Sequence, residues 1–434
     1  MKKKRVLIVT YYWPPCGGVG VHRCLKFAKY LRTFGWEPVI CTAENPEYPV
    51  LDEGNARHIP EGIEVLKTRI WEPYTIYKWM MGKKREERIT DVFVEEQRAG
   101  FRANLGIWIR GNCFIPDARR FWIGSTVKFL TRYLQDHPVD ALMTNGPPHS
   151  AHMIGYKLKR KFNIPWLADF QDPWTESDSY RRLMLNPISR KIHEAMQRRV
   201  FHSADKVTIC SESWKVDLES LGAHDVGVIF WGYDEDDVQE MTDRPSPKFT
   251  ISHFGRLGPD RNVSVFWKVV ADLVKNHPNF GKDLEIRLAG FIGEAVRDEI
   301  AAFGLLNNVK ILGHISRKEA LAGMRQAQVL LLIINDEPNA QGRLPGKFFE
   351  YLASRRPILV LGPEGSDAAS ILHELHAGST CGYRDYASTK ATILQLYKKY
   401  VKNDLPDNVT PIEHYSNKNT TGTLALCLDS IAGR

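Results

Sequence analysis

Two apolar runs, Val6-Leu7-Ile8-Val9-Thr10 and Pro38-Val39-Ile40-Cys41-Thr42, frame the stretch that decides the fold. Between them lie the turn Pro14-Pro15-Cys16-Gly17-Gly18 and a helical pattern from Val21 to Phe34 that stops at Gly35. A short, continuously apolar run is typical of a strand buried on both faces of a parallel sheet. Strand, turn, helix and strand in this order predict the βαβ unit of a doubly wound α/β domain.

The same alternation continues along the chain, breaks, and then starts again. Strands are predicted at 141–144, 166–169 and 206–210, and, after a polar stretch with two prolines, at 249–254, 284–288, 309–312, 329–334 and 358–361. A chain of 434 residues is too long for one core of common size. We therefore predict two Rossmann-like doubly wound domains facing a cleft, one over residues 1–235 and one over 248–412.

The segment 71–130 interrupts the alternation and mixes aromatic with basic side chains. Its composition fits docking on an anionic membrane surface. A helical insertion that packs on its own domain is the simpler alternative. The sequence leaves both interpretations open.

Composition narrows the class of protein. A net charge of +8 and a pI near 9.0 fit an anionic partner such as a nucleotide, a lipid phosphate or a bilayer surface. The seven cysteines are scattered without a C-x-x-C pair, which argues against a zinc site or a disulfide framework and for reduced thiols in the cytoplasm. No apolar stretch approaches the roughly 20 residues that span a bilayer, and the N-terminal apolar run is too short for a signal peptide.

One block near the C-terminus has the residue types that a nucleotide-sugar site needs. It reads Pro345-Gly346-Lys347-Phe348-Phe349-Glu350-Tyr351-Leu352-Ala353 and precedes the apolar run at 358–361. Lys347 and Glu350 share a helix face because they are three residues apart. The ammonium suits a diphosphate and the carboxylate suits vicinal hydroxyls. The block resembles the C-terminal signature of GT-B glycosyltransferases, most closely those of glycosyltransferase family 4.

A second motif, Gly255-Arg256-Leu257-Gly258-Pro259-Asp260-Arg261, follows a predicted strand at the end where open α/β sheets bind ligands. Arg256 and Arg261 are predicted to clamp the diphosphate, since guanidinium geometry matches phosphate oxygens. The family has a similar Gly-Arg run with a lysine where this chain has Arg261. Two surface arginines in a loop are the simpler alternative.

The resemblance assigns further roles in the second domain. Glu350 takes the family's ribose-binding position, but Gly342 stands where the family has another glutamate, so the E-x7-E motif is incomplete. Arg343, Gln341 or the backbone amides from Leu344 to Lys347 are then expected to hold the sugar and phosphate. The family also contacts the base through main-chain groups, which correspond to His314 and Ile315. For His314 a helix-capping or buried role is the alternative.

Candidates in the first domain follow predicted strands. Gly17 and Gly18 are expected to let backbone amides approach the donor, as in the family, although a tight turn explains them equally well. Asp172 is the candidate that acts on the acceptor or the transferred sugar, and Gln171 replaces a histidine that family members often carry. His149 is a further candidate. Pro116-Asp117 and Arg119-Arg120 are expected on the acceptor side, with helix capping or loop anchoring as the alternative for each of these residues.

The resemblance as a whole implies a retaining, hexosyltransferase-type enzyme that moves a sugar from a UDP- or GDP-linked donor to a lipid-linked or polysaccharide precursor, peripherally at the inner face of the membrane. It implies no cofactor and no metal, and we interpret Asp234-Glu235-Asp236-Asp237 as a charge cluster at a helix N-terminus. It implies no nucleic-acid partner, and a helix in 413–434 that crosses back to the first domain. The alternatives are a nucleotide-sugar 2-epimerase and a non-catalytic protein that binds sugar nucleotides.

Overall fold

The computed structural model describes residues 3–73, 101–241, 244–405, 407 and 410–433. The chain divides into two compact units, Met1–Phe230 with Asn417–Arg434, and Trp231–Ser416. The division between Phe230 and Trp231 falls just before the boundary predicted between residues 235 and 248. Residues 74–100 of the segment 71–130 lie outside the described residues.

The first unit is built on a fully parallel seven-stranded sheet in the order β3-β2-β1-β4-β5-β6-β7. Its strands are β1 Lys4–Val9, β2 Trp36–Glu44, β3 Glu64–Arg69, β4 Ala141–Gly146, β5 Trp166–Phe170, β6 Lys206–Ile209 and β7 Val226–Val228. The helices between them are α1 Gly20–Tyr30, α2 Phe101–Cys113, α3 Trp122–Asp136, α4 Ser150–Phe162, α5 Asp178–Arg181, α6 Pro187–Ser203 and α7 Glu212–Ser220.

The second unit repeats this plan with a six-stranded parallel sheet in the order β10-β9-β8-β11-β12-β13. Its strands are β8 Phe249–Phe254, β9 Leu284–Ala289, β10 Val309–Gly313, β11 Val329–Ile333, β12 Ile358–Leu361 and β13 Gly378–Cys381. Its helices are α8 Glu235–Glu240, α9 Ser264–Asn276, α10 Pro278–Asp283, α11 Glu294–Ala302, α12 Arg317–Gln326, α13 Gly346–Ala353, α14 Asp367–Glu374 and α15 Tyr386–Val401. The predicted α/β class with two doubly wound sheets is confirmed.

The C-terminal helix α16, Asn417–Ala432, belongs to the core of the first unit. Leu424 and Leu428 are fully buried among residues of β1 and α1. At its edge the Lys4 ammonium donates to Asp429 at 2.8 Å. Helix α16 therefore packs against the sheet to which β1 belongs.

Each core consists of the apolar faces of the central strands. β4 and β5 of the first unit and β11 and β12 of the second are buried along their whole length. Strands covered by helices on both faces need apolar side chains at successive positions, which is why most residues of these strands are apolar. The polar loops that follow them are left at the carboxyl edges of the two sheets.

Candidate functional site

The motifs of the second unit meet where its strand order reverses. Chain connections leave β8 toward β9 on one side and β11 toward β12 on the other, so the loops after β8 and β11 diverge at the sheet's carboxyl edge. Open α/β sheets bind ligands at such a switch point. The loop after β8 carries Arg256 and Arg261, and the loop after β11 leads into α13, which carries Lys347 and Glu350.

Two glycines allow the backbone to come close at this point. Gly255 has a φ of +123°, and a Cβ there would lie 3.2 Å from the Lys347 ammonium. Gly290, after β9, has a φ of +107°, and a Cβ there would lie 2.4 Å from the Gly255 carbonyl oxygen. Any other residue would be strained at both positions, and at Gly290 its Cβ would also clash with the Gly255 backbone, so Gly290 allows the turns after β8 and β9 to lie close together.

The Lys347 ammonium lies beneath this turn with few favourable partners. It donates to the Phe254 carbonyl at 3.0 Å and lies 3.4 Å from Nε2 of His253. His253 Nδ1 lies 3.0 Å from the Leu331 carbonyl, which fixes the ring. Burial, followed by the nearby charge of Arg261, lowers the pKa of Lys347 to about 7, while Glu350 partly opposes this. A buried lysine with a lowered pKa is suited to receive an anionic group.

Both arginines of the predicted clamp converge on one carboxylate. Arg256 Nη1 donates to Asp260 at 3.0 and 3.2 Å, and Arg261 Nε lies 3.8 Å from the same carboxylate. Arg256 Nε is buried without a hydrogen-bond partner. The two arginines thus lie near the same carboxylate, and Asp260 holds them in place.

Glu350 has a partner that the sequence did not reveal. Arg317, near the start of α12, donates to Glu350 at 3.0 Å and also to Asp237 of α8. Burial alone would lower the pKa of Arg317, but the carboxylates of Glu350 and Asp237 raise it above its ordinary value. The carboxylate predicted to bind ribose is therefore held by an arginine from a neighbouring helix. The sequence separation of 33 residues gave no signal of this pairing.

The loop before α13 holds the position where the glutamate is missing. Gly342 is buried in the short 3-10 turn Ala340–Gly342. Arg343 follows in extended conformation, and the Leu344 side chain is only 2% exposed. Leu344 packs in the core, so any ligand contact from it involves its backbone. The Arg343 side chain is half-buried at the N-terminal approach to α13.

His314 and Ile315 directly follow β10. The His314 side chain is exposed, and Ser316 caps α12 through a reciprocal capping box with Glu319. The alternatives of a buried or helix-capping histidine are therefore wrong for His314. Its main-chain groups lie at the carboxyl edge of β10, next to the helix that carries Arg317.

In the first unit the loop that carries Gly17 and Gly18 packs against Val50 on one side. The Gly17 amide donates to the Val50 carbonyl at 2.9 Å, and a Cβ on Gly17 would lie 2.8 Å from the Val50 side chain. Gly18 has a φ of +81° with open space around its missing Cβ. Packing accounts for Gly17, whereas Gly18 is the glycine that leaves room on the outer side of the turn.

A buried ion pair between Arg23 and Asp169, which the sequence alone did not predict, lies near this loop. Arg23 of α1 donates to both carboxylate oxygens of Asp169 at 2.7 and 2.8 Å. Asp169 also accepts from Thr208 and Asn145. The Arg23 guanidinium and these hydrogen bonds keep the pKa of Asp169 below its usual range, although burial opposes them. The site candidate Gln171 extends this network through its amide, which donates to Asn145 at 2.6 Å.

His149 lies in a buried aromatic stack. Its ring is parallel to that of Trp174 with the centroids 4.3 Å apart, and its Nδ1 is buried without a partner. Burial, and then the neighbouring His152 and His193, hold the pKa of His149 well below its ordinary value, so the ring is neutral. A neutral imidazole with an unpartnered nitrogen can hydrogen-bond a hydroxyl group.

A small cavity of about 150 Å³ opens beside this stack. Asp117 lines it but accepts from the amide and hydroxyl of Ser150 at 2.8 Å each, so it holds the N-terminus of α4 as in the helix-cap alternative. Arg119 also lines it, and pairs with Glu72 at 3.4 Å. Arg120 donates to the Cys113 carbonyl instead. Asp172, the candidate that follows β5, is half-buried.

The acidic cluster 234–237 is organised as a helix start. Asp234 is the N-cap of α8 and accepts from the Asp236 amide. Across the described ranges no group of three or more His, Cys, Asp or Glu side chains is placed to hold a metal ion. In the same ranges no helix is long and apolar enough to cross a membrane.

Part of the chain matches a known family model. Residues 17–230, just under half of the chain, match the family model described as a glycosyl transferase 4-like domain. No curated protein matches the chain significantly.

Solved structures show the same fold over almost the whole chain. HepE of Anabaena in complex with UDP is 14% identical with a TM-score of 0.61, covering 98% of this chain and 100% of its own. A UDP-forming α,α-trehalose-phosphate synthase from Burkholderia vietnamiensis is 11% identical, with a TM-score of 0.61 and 99% coverage of both chains. A mutant of Staphylococcus aureus TarM in complex with UDP is 12% identical with a TM-score of 0.60, covering 98% of this chain and 99% of its own. The fold is that of the GT-B glycosyltransferases, as the sequence predicted.

Proposed function

We propose that this protein is a retaining glycosyltransferase that moves a hexosyl group from a nucleoside diphosphate sugar to a hydroxyl of an acceptor. The observation that carries the proposal is the grouping of Lys347, Arg256 and Arg261 at the carboxyl edge of the second sheet, beside the N-terminus of α13. Cations and helix amides at a switch point form a diphosphate site. The match of residues 17–230 to a glycosyl transferase 4-like domain also supports a glycosyltransferase.

Each residue of the second unit has a role in this proposal. Lys347 and the two arginines bind the diphosphate, Glu350 accepts hydrogen bonds from the ribose, and main-chain groups of His314 and Ile315 contact the base. Arg343 and the backbone of Leu344 replace the missing glutamate near the donor sugar. UDP is the first nucleotide to test, because HepE, the synthase and TarM are all described with UDP.

In the reaction the bond between the anomeric carbon and the β-phosphate oxygen breaks while the acceptor oxygen bonds to the same carbon from the same face. The acceptor proton passes to an oxygen of the leaving diphosphate, so the atoms balance without a protein base or a metal. Negative charge grows on the leaving group, and the cations of Lys347, Arg256 and Arg261 stabilise it. Gly18, His149, Gln171 and Asp172 of the first unit would position the acceptor and the transferred sugar.

We further propose that the acceptor is a lipid-linked or polysaccharide precursor and that the enzyme works as a peripheral protein at the inner membrane face. The basic and aromatic composition of segment 71–130 supports this, although much of the segment lies outside the described residues. Liposome co-sedimentation should rise with anionic lipid content and fall with salt, because the screening length shrinks to about 8 Å at physiological ionic strength. Pelleting that ignores lipid charge would favour a soluble acceptor.

The activity is tested by incubating the protein with radiolabelled UDP- and GDP-sugars, scoring transfer, hydrolysis and epimerisation in the same samples. Release of nucleoside diphosphate by the wild type and its loss in Lys347→Met would support the transferase. Conversion to the 2-epimer would indicate the epimerase instead. Gly342, buried where the family has a glutamate, favours one further candidate, a non-catalytic nucleotide-sugar-binding protein. Tight binding of a nucleotide sugar without any turnover would support that function.

A further inference from the structure

A second and larger cavity, of about 520 Å³, lies within the first unit. Its walls come from the loop after β5, from α5 and from α6. Cavities of about 300–1,000 Å³ are the usual size of small-molecule sites. The roles already given to Gly18, Gln171 and Asp172 do not use it.

The wall formed by α6 is fixed and presents polar side chains on one face. Arg190, Glu194, Gln197 and Arg198 line the cavity, because residues four, seven and eight apart lie on the same side of a helix. Gln197 is 3% exposed, and its Oε1 accepts from the Thr175 amide at 3.0 Å. This bond ties α6 to the loop that carries Asp172, so the cavity has a defined shape.

The cavity contains three arginines, Arg181, Arg190 and Arg198. Within the part of the chain that the structure describes, none of them forms a salt bridge. Other arginines of the same unit are paired, as Arg32 is with Glu37 at 2.6 Å. Guanidinium groups bind phosphate oxygens in planar, two-point geometry. Three unpaired guanidinium groups around one cavity therefore favour a phosphate-bearing ligand.

Two buried polar atoms in the cavity wall also lack a partner. The Tyr180 hydroxyl and Glu176 Oε2 are buried without a hydrogen bond, and Tyr180 is only 9% exposed. Buried polar groups are nearly always hydrogen-bonded, so such atoms require an explanation. Burial raises the pKa of Glu176, and a hydrogen bond from Thr175 opposes this shift. The Tyr180 hydroxyl can donate to a phosphate oxygen.

We propose that this cavity binds a phosphate or diphosphate group carried by the acceptor, held by Arg181, Arg190 and Arg198. The inference rests on the proposed transferase function and names the chemical class of its acceptor. Tyr180 lines this cavity and also the small cavity beside His149, so the phosphate site adjoins the candidate acceptor residues. Met184 and Ile188, which lie in sequence between the lining residues Arg181 and Arg190, have exposed side chains that offer an apolar surface to an attached alkyl chain.

The test is calorimetric titration of hexyl diphosphate into the full chain saturated with UDP, so that the nucleotide site is occupied. The double variant Arg190→Gln/Arg198→Gln should weaken binding of hexyl diphosphate by at least about tenfold, because it removes two cationic donors of charge-assisted hydrogen bonds to the phosphate. Arg199→Gln is the matched control, since Arg199 is exposed on the same helix but does not line the cavity. It should change the affinity less than about twofold.

The outcomes separate this inference from the proposed function. If UDP binds the wild type but hexyl diphosphate does not, or binds the double variant equally well, the phosphate site is overturned and the transferase proposal stands. If UDP does not bind at all, the proposed donor site is wrong. If the wild type then still binds hexyl diphosphate and the double variant does not, the phosphate site in the cavity remains supported. A parallel titration with inorganic pyrophosphate identifies the source. Weaker binding than hexyl diphosphate indicates a lipid-linked acceptor, and equal binding indicates a soluble phosphate.

Discussion

The two units share a strand order around their switch points, yet they treat buried charge there in opposite ways. In the first unit the buried Arg23–Asp169 pair is fully compensated, since Asp169 also accepts from Thr208 and Asn145. In the second unit Lys347 has only a carbonyl and a neutral histidine as neighbours, and Arg261 repels it. No carboxylate within the described residues lies at salt-bridge distance from Lys347. We therefore interpret the Arg23–Asp169 pair as part of the folded core and Lys347 as a group available to bind an anion.

The largest effect is expected where the compensated pair is broken. Asp169→Asn leaves the Arg23 guanidinium buried without a counter-charge, which should lower the free energy of unfolding by about 3–5 kcal/mol. Urea denaturation followed by circular dichroism measures it. Because the folded-state pKa of Asp169 is lowered, the wild-type contribution is present above the unfolded pKa and is lost as pH falls through the folded pKa.

The exposed pair Lys4–Asp429 is the control for that experiment. Its side chains are 49% and 45% exposed, so Lys4→Gln should cost no more than about 1 kcal/mol. Equal losses for Asp169→Asn and Lys4→Gln would mean that the buried pair is no more structural than a surface one.

The uncompensated cation should show the reverse behaviour. Lys347→Met is expected to leave folding stability unchanged or higher at pH 7, while weakening UDP binding by about 1.5–3 kcal/mol. Arg256→Ala should weaken UDP binding on the same scale, since the motif places both cations at the diphosphate. Calorimetry of UDP binding and urea denaturation of the same samples separate the two effects. Unchanged UDP affinity in both variants would remove the proposed donor site.

The pH dependence sharpens the contrast between the units. Lys347 has a folded-state pKa of about 7, below its unfolded value, so the folded protein holds fewer protons and stability should rise with pH above about 7 until the unfolded lysine titrates. UDP favours the protonated lysine, so affinity should fall above pH 7 by up to about tenfold per pH unit. Calorimetry at pH 7.5–9 measures the fall, and Lys347→Met should abolish it. A wild-type slope that persists in Lys347→Met would assign the titration to another group.

The comparison also explains what the sequence could reveal. The central strands were predicted because burial on both faces requires continuous apolar runs. The edge strands β3, β7 and β13 were missed, since they are short or half-exposed and read as polar or glycine-containing segments. The motif residues at the carboxyl edge were found because they follow strands directly.

Pairings between distant segments were not predictable from one sequence. Arg23 and Asp169 are separated by 146 residues, and neither position has a local pattern that indicates the other. The partners of Glu350 and the arginine-lined cavity of the first unit depend on how helices pack, which no periodicity encodes. These contacts decide whether a charged side chain is paired within the fold or is available to bind a ligand.

The smallest effect should come from Glu350, whose charge is compensated by a partly exposed arginine. Glu350→Gln should weaken UDP binding by about 1 kcal/mol, because a neutral amide accepts weaker hydrogen bonds from ribose than a carboxylate. Binding of inorganic pyrophosphate should remain nearly unchanged, since it lacks the ribose. Arg317→Gln removes the group that orients Glu350, which is 3.0 Å away, and should lower UDP affinity by less than Glu350→Gln does. In the double variant Arg317→Gln should add little further loss, because it acts through Glu350. Equal losses of UDP and pyrophosphate binding in Glu350→Gln would show that this pair, like Arg23 and Asp169, serves the fold.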